Sequence, residues 1–227
     1  MTKAIILASG KGSRFKNETP KQFLEIKGYP VLVHSLRYFQ ECIEIDEIVV
    51  VTIKKYINKT RKLINKNNIT KVKKILKGGE VRQESSRIGV ECCGEGTKYV
   101  LIHDAVRPLI TIKLLNKLIK TVKKYNAVVP VIPSSDTIVE IGDKGLIKSI
   151  PNRVDIMRIQ TPQAFKYELI KQAHEKALRD GVINSPDDSG LILRIGIPVY
   201  TVRGEENNVK ITFPTDFQIA SKLFELK

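Results

Sequence analysis

The stretch KAIILASGKGSR, residues 3–14, decides how the chain is read. Lys3 to Ala8 is a short apolar run without polar alternation, the pattern of a strand covered on both faces. Ser9-Gly10-Lys11-Gly12 then ends it in a turn, where glycine tolerates backbone angles that side chains disfavour. Working outward, Val31 to Cys42 has helical spacing, and Glu47 to Ile53 (EIVVVTI) is a second buried strand. A helix over 54–67, a strand over 72–76, a helix over 80–93 after Gly78-Gly79, and a strand over 99–103 follow. Thr111 to Tyr125 is a helix with Thr111 as its N-cap, and Ala127 to Ile132 a fifth strand. Strands alternating with helices imply βαβ units, so the expected fold class is α/β with a mostly parallel central sheet flanked by helices. In such sheets ligands gather beyond the carboxyl ends of the strands. The glycine loop, Gly79 and Asp104 all fall there.

The alternation stops after Pro133. Residues 136–141 and 146–150 flank Gly142-Asp143-Lys144-Gly145 and read as a hairpin, an arm at about 134–153. Helices over 167–179 and 188–195, a strand over 199–202 and a terminal helix from Thr215 complete the chain. One domain over residues 1–227 is expected.

Lys and Arg exceed Asp and Glu by 39 − 24 = 15. The lysines are scattered, tryptophan is absent and aromatics make up 6% of the chain, so a base-stacking platform for nucleic acid is poorly supplied. A positive field that draws in anionic nucleotides is the functional reading, a lysine-rich composition the bland one. No apolar run approaches the 20 or so residues of a membrane span, the N-terminus does not read as a signal peptide, and three cysteines without metal or disulfide spacing read as reduced thiols. A cytoplasmic location is expected.

Gly10 and Gly12 let backbone N–H groups face phosphate oxygens, and Arg14 and Lys21 can neutralise a triphosphate. The spacing is neither a Walker A loop nor a GxGxxG fingerprint. Asp104 ends an apolar strand, where a carboxylate can orient a hydroxyl, help hold Mg²⁺ or simply cap the next loop with Arg107 beside it. His103 reads as a packed histidine. Asp187 and Asp188 read as acidic residues at a helix N-terminus, favoured by its dipole.

Ala8-Ser9-Gly10-Lys11-Gly12-Ser13-Arg14 with Pro20-Lys21-Gln22-Phe23 resembles the signature of the sugar nucleotidyltransferases. It looks most like the 2-C-methyl-D-erythritol 4-phosphate cytidylyltransferase family, with the ribitol-5-phosphate cytidylyltransferases close by. The likeness continues through Gly78-Gly79, Arg82-Gln83, Ser85, His103-Asp104-Ala105-Val106-Arg107-Pro108, Asp136-Thr137, Thr161-Pro162-Gln163-Ala164-Phe165, Asp187-Asp188-Ser189 and Val209-Lys210-Ile211-Thr212. The resemblance implies a Rossmann-like nucleotidyltransferase fold in which a sugar-alcohol phosphate attacks the α-phosphorus of CTP and pyrophosphate leaves. It implies Arg14, Lys21 and Lys210 as catalytic cations, and Ala8, Ser9, Gly10, Gly12, Gly79, Glu80 and Ser85 around CTP. Asp104, Arg107, Thr137 and Arg153 would serve the acceptor. Mg²⁺ is the implied cofactor, with Asp104 a weak ligand beside the triphosphate, and Thr161 would only shape the site. The implied partner is a second copy, a homodimer in which the arm brings Thr137 and Arg153 to the neighbouring site. Neither nucleic acid nor membrane is an expected partner.

Three positions depart from the family pattern: Ser9 for Ala or Gly, Phe15 for Met, and Ser185-Pro186 where a Thr commonly precedes Asp187. Asp187-Asp188-Ser189 favours methylerythritol phosphate over ribitol phosphate as acceptor. A non-catalytic nucleotide-binding domain is the alternative of another class, opposed by the joint presence of Arg14, Lys21, Asp104, Arg153 and Lys210.

Overall fold

The computed structural model describes residues 1–10, 12, 15 and 19–226. Strand β1 (Thr2–Ala8) is buried along its whole length. Its side chains alternate between two cores. Ala4, Ile6 and Ala8 join one, Ile5 and Leu7 the other, so each face of the strand must be covered by helices. A small hairpin, β2 (Glu25–Ile26) with β3 (Tyr29–Pro30), leads into α1 (Val31–Glu41). Then come β4 (Glu47–Thr52), α2 (Ile57–Lys66), β5 (Val72–Lys77), α3 (Arg82–Cys93) and β6 (Tyr99–Asp104). Helix α4 (Ile112–Tyr125) is capped as its sequence anticipates, with Thr111 Oγ1 accepting from Leu114 N at 3.1 Å. Strand β7 (Ala127–Pro133) follows.

Strands β6, β1, β4 and β5 lie side by side and parallel. Their carboxyl ends, Asp104, Ala8, Thr52 and Lys77, therefore share one edge of the sheet. α1 and α4 cover one face, α3 the other. Helix α3 approaches β1 so closely at Gly89 that a Cβ there would fall 2.4 Å from Ile5 Cγ2. Ile5 sits in a central strand and cannot yield. Gly89→Ala should therefore lose stability despite its gain in helix propensity, by about 1–2 kcal/mol net, or about 2–8 °C in Tm. An unchanged or higher Tm on thermal denaturation would show that helix and sheet have room to spare.

The second half adds strands to the expected outline. The chain leaves β7 for a hairpin, β8 (Glu140–Ile141) with β9 (Ile147–Ser149), shorter than the expected arms. It returns as β10 (Met157–Ile159), antiparallel to β7, and then β11 (Gln163–Lys166), antiparallel to both β6 and β7. Strands β10 and β11 are too short to show a period in the sequence. The sheet is thus mixed on this side, parallel only in β12 (Tyr200–Arg203) against β7. Helices α5 (Tyr167–Arg179) and α6 (Asp188–Arg194) join α3 in the core containing Ile5 and Leu7. The final α7 (Pro214–Glu225) packs Ala220 and Phe224 against Val31, Val106 and Ile211.

Candidate functional site

A cavity of about 430 Å³ opens beyond the carboxyl ends of β1 and β6. Its floor is the start of the glycine loop. Gln22 Nε2 donates to the carbonyls of Ala8 at 2.7 Å and Gly10 at 3.1 Å, fixing the loop from beneath. Gln22 belongs to the Pro20-Lys21-Gln22 block yet carries no role in the sequence reading. Its neighbour Lys21 is buried in the cavity wall. Arg14, the third cation of the sequence reading, lies outside the described residues, as do Lys11 and Ser13.

The opposite wall is the turn from β5 into α3. A Cβ on Gly78 would sit 2.3 Å from Ser9 Cβ, so only glycine lets the two loops meet. Ser9 donates to Ser85 Oγ at 2.8 Å. Ser85 Oγ also accepts from Gly79 N at 3.1 Å and donates to Val81 O at 3.2 Å. Ser85 is therefore a brace behind the cavity rather than part of its lining. Ser9, a departure from the family pattern, adds a strut to that brace. Glu80 and Gly79 do line the cavity, and Glu84 accepts from Glu80 N at 2.7 Å.

Asp104 stands at the carboxyl end of β6 between two cations. Oδ1 accepts from Arg82 Nε at 3.0 Å, and Oδ2 lies 2.7 Å from Lys210 Nζ. Burial alone would raise this carboxyl, but Arg82 and Lys210 outweigh it and hold it well below the usual carboxylate range. Its partner is thus not Arg107, as a simple loop cap would have it. Arg82 also donates Nη1 to Asp188 Oδ2 at 2.8 Å. Burial opposes the Arg82 charge, and the two carboxylates more than compensate, keeping the guanidinium above its ordinary range. Among the described residues no group of three His, Cys, Asp or Glu side chains converges.

Arg107, expected against the acceptor, does not line the cavity. Its Nη1 donates to Asn208 O at 2.7 Å, Ile211 N donates to Val106 O at 2.9 Å, and Asn208 Nδ2 donates to Thr161 O at 2.9 Å. Arg107 therefore braces the segment that carries Lys210. His103 is fully buried, and burial pushes it down to about 3, so it stays neutral. Its Nε2–H meets Arg107 O at 3.1 Å, which leaves Nδ1 to accept from the Thr161 hydroxyl at 3.0 Å, while Thr161 Oγ1 accepts from Asp104 N at 3.1 Å. Thr161 thus links the His103 ring to the Asp104 backbone.

Thr137 and Arg153 lie on the exposed arm and do not line the cavity. Arg153 donates to the carbonyls of Ser134 at 3.3 Å and Ser135 at 2.7 Å. One chain thus brings together Ala8, Ser9, Gly10, Gly12, Lys21, Gly79, Glu80, Asp104 and Lys210, and leaves Thr137 and Arg153 apart. The acidic pair also splits. Asp187 is the N-cap of α6, accepting from Gly190 N at 3.0 Å. Asp188 instead turns inward to Arg82, Ser86 and His174.

Known proteins give the same answer. A family model described as 2-C-methyl-D-erythritol 4-phosphate cytidylyltransferase matches residues 2–225. The chain is 38% identical to the protein of that name from Symbiobacterium thermophilum, over 97% of this chain and 92% of the relative. It is 39% identical to the one from Syntrophus aciditrophicus, over 96% and 93%. The solved structure of 4-diphosphocytidyl-2C-methyl-D-erythritol synthase from Anaerococcus prevotii superposes with a TM-score of 0.87 at 31% identity, covering 99% of this chain and 96% of that one.

Proposed function

The chain belongs to the 2-C-methyl-D-erythritol 4-phosphate cytidylyltransferase family, and from that premise we propose that it joins 2-C-methyl-D-erythritol 4-phosphate to CTP. The products are 4-diphosphocytidyl-2-C-methyl-D-erythritol and pyrophosphate, a step in isoprenoid precursor synthesis by the non-mevalonate route. The observation that carries the reading is that Lys21 and Lys210, distant in sequence, line one cavity beside a glycine loop.

The chemistry asks for little more. A phosphate oxygen of the acceptor attacks the α-phosphorus of CTP, the bond to the bridging oxygen breaks, and pyrophosphate carries away the electron pair. The acceptor phosphate is already ionised near neutral pH, so no strong base is needed. Positioning and neutralisation of charge on the crowded phosphorus supply the acceleration. In this reading Lys21 and Lys210 neutralise the reacting phosphate, with Arg14 a third cation. The loop from Ala8 to Gly12 faces the triphosphate, the Gly79–Glu80 turn faces the base, and Asp104 orients the acceptor. Both Asp104 oxygens are engaged by Arg82 and Lys210, and among the described residues no other carboxylate group gathers beside them to hold Mg²⁺. Mg²⁺, if held mainly by the substrate's phosphates, would lower the charge that the acceptor phosphate must approach.

The reading extends to one nucleotidyltransferase domain with an arm, and to a homodimer built on that arm. The exposed Ile138, Ile141, Leu146, Ile147 and Ile150 support the latter, because an isolated hairpin is marginal and an apolar patch asks for a partner. A cytoplasmic setting fits the three free thiols. Among the described residues, no helix is long and apolar enough to cross a membrane.

Pyrophosphate release with each of four nucleoside triphosphates and each acceptor tests the reaction. CTP with 2-C-methyl-D-erythritol 4-phosphate should dominate, ribitol 5-phosphate should serve poorly, and EDTA should abolish turnover. Equal turnover of ATP would sink the cytidine assignment; faster turnover of ribitol 5-phosphate would sink the acceptor.

A further inference from the structure

We infer that His174 and Asp188, buried behind the cavity, are positioning residues for the transfer reaction, holding Asp104 and Lys210 in place through Arg82. The inference rests on the proposed function. Neither residue lines the cavity, and their exposures are 2% and 1%. They come from α5 and α6, whereas Arg82 and Ser86 come from the first two turns of α3.

The contacts form one continuous series. His174 Nε2 lies 3.2 Å from Asp188 Oδ1, which also accepts from Ser86 Oγ at 2.5 Å. Asp188 Oδ2 accepts from Arg82 Nη1 at 2.8 Å, Arg82 Nε donates to Asp104 Oδ1 at 3.0 Å, and Asp104 Oδ2 meets Lys210 Nζ at 2.7 Å. Asp188 is free for this role because the neighbouring Asp187 serves as the helix cap.

Geometry gives the series its purpose. A guanidinium is a rigid fork, so fixing Nη1 on Asp188 fixes the direction in which Nε meets Asp104. Arg82 then occupies one oxygen of Asp104 and leaves the other to Lys210. Buried ion pairs are weak sources of stability but can fix one arrangement among several, and this one ends on two groups of the cavity wall. Without the Asp188 carboxylate, Arg82 turns about its terminal torsions and gives Asp104 its undivided attraction. Asp104 shifts, and Lys210 loses its anchor. The glycine loop and Lys21 do not belong to the series, so most of the proposed CTP contacts persist while the loosened Asp104 and Lys210 slow transfer.

The test uses the full-length protein with CTP and 2-C-methyl-D-erythritol 4-phosphate. Asp188→Asn should lower kcat about tenfold and His174→Phe about fivefold, within the range by which changes along a coupled network act on a distant site. His174→Gln, whose side-chain amide can donate to Asp188 from the same place, should recover to within about twofold of the unsubstituted protein. CTP affinity by calorimetry without acceptor should stay within about threefold in all three, because Ala8, Gly10, Lys21 and the Gly79–Glu80 turn, which carry most of the proposed CTP contacts, lie outside the series and only Lys210 is loosened. The role is overturned if folded Asp188→Asn and His174→Phe keep normal kcat, if CTP affinity falls in step with kcat, or if the Gln variant is no better than the Phe variant. Should Asp188→Asn not fold, the two His174 variants decide alone. An unsubstituted protein that turns over no CTP with this acceptor sinks the function and the role together. An active one with equally active variants sinks the role alone.

Discussion

Lys21→Ala and Lys210→Ala are each expected to lose about 2–4 kcal/mol of transition-state stabilisation, a fall in kcat of about 30- to 1000-fold. Both cations line the cavity in which, in the proposed reaction, phosphate charge builds up during attack, and the wall around them limits screening by water. Lys21 is buried and Lys210 is part-exposed, with 38% of its side chain accessible. The folded state tolerates the loss of Lys210 because Arg82 remains on Asp104. Most of the effect should therefore appear in turnover and little in the melting temperature. A variant that melts normally and keeps near-normal kcat with both substrates would remove that lysine from the chemistry.

A comparable loss is expected for Arg153→Ala, although Arg153 does not reach the cavity of its own chain. Its guanidinium fork suits a phosphate, and its present partners are two backbone carbonyls of the arm. In the homodimer that we propose, this fork serves the neighbouring site. Lys21→Ala and Arg153→Ala chains should then complement one another after dissociation and mixing. Each heterodimer carries one site with both defects and one intact site. Half of randomly paired chains form heterodimers, so about a quarter of full activity should return. Mixed dimers confirmed by mass but without recovery would show that Arg153 acts in its own subunit. A monomer in sedimentation would remove the shared site altogether.

The sequence made the parallel half of the fold readable because each element there is long enough to show its period. The run from Lys3 to Ala8 is uninterrupted, α4 announces itself by Thr111, and α5 spans the expected residues 167–179. Strands β10 and β11 were hidden for the opposite reason. Three and four residues long, they owe their conformation to pairing with β7 and β6 rather than to any pattern of their own. The site divides in the same way. Glycine loops and cations at strand ends are local signals. The inward turn of Asp188 is not: its position at the start of a helix is where an ordinary capping acid would stand, and only the packing of α5 and α6 against α3 gives it Arg82, Ser86 and His174. Arg82 stood within a recognisable block, yet its two-carboxylate role depends on Asp104 and on Asp188, 22 and 106 residues further along the chain. Arg107 is the reverse case, a matched residue whose side chain meets the segment carrying Lys210 and does not line the cavity.

The two stems of the arm lie against each other, since β10 returns along β7 with Met157 opposite Pro133 and Ser134 N reaching Ile156 O at 3.4 Å. Everything between Ser134 and Ile156 hangs from that closed neck. A strand slipped by one residue would turn its core face outward, but residues added or removed beyond the neck shift no strand of the main sheet. Insertions and deletions at the tip are absorbed there. The arm is thus a segment in which lineages can vary the proposed subunit contact and the proposed acceptor clamp while the strands beneath the cavity keep their register.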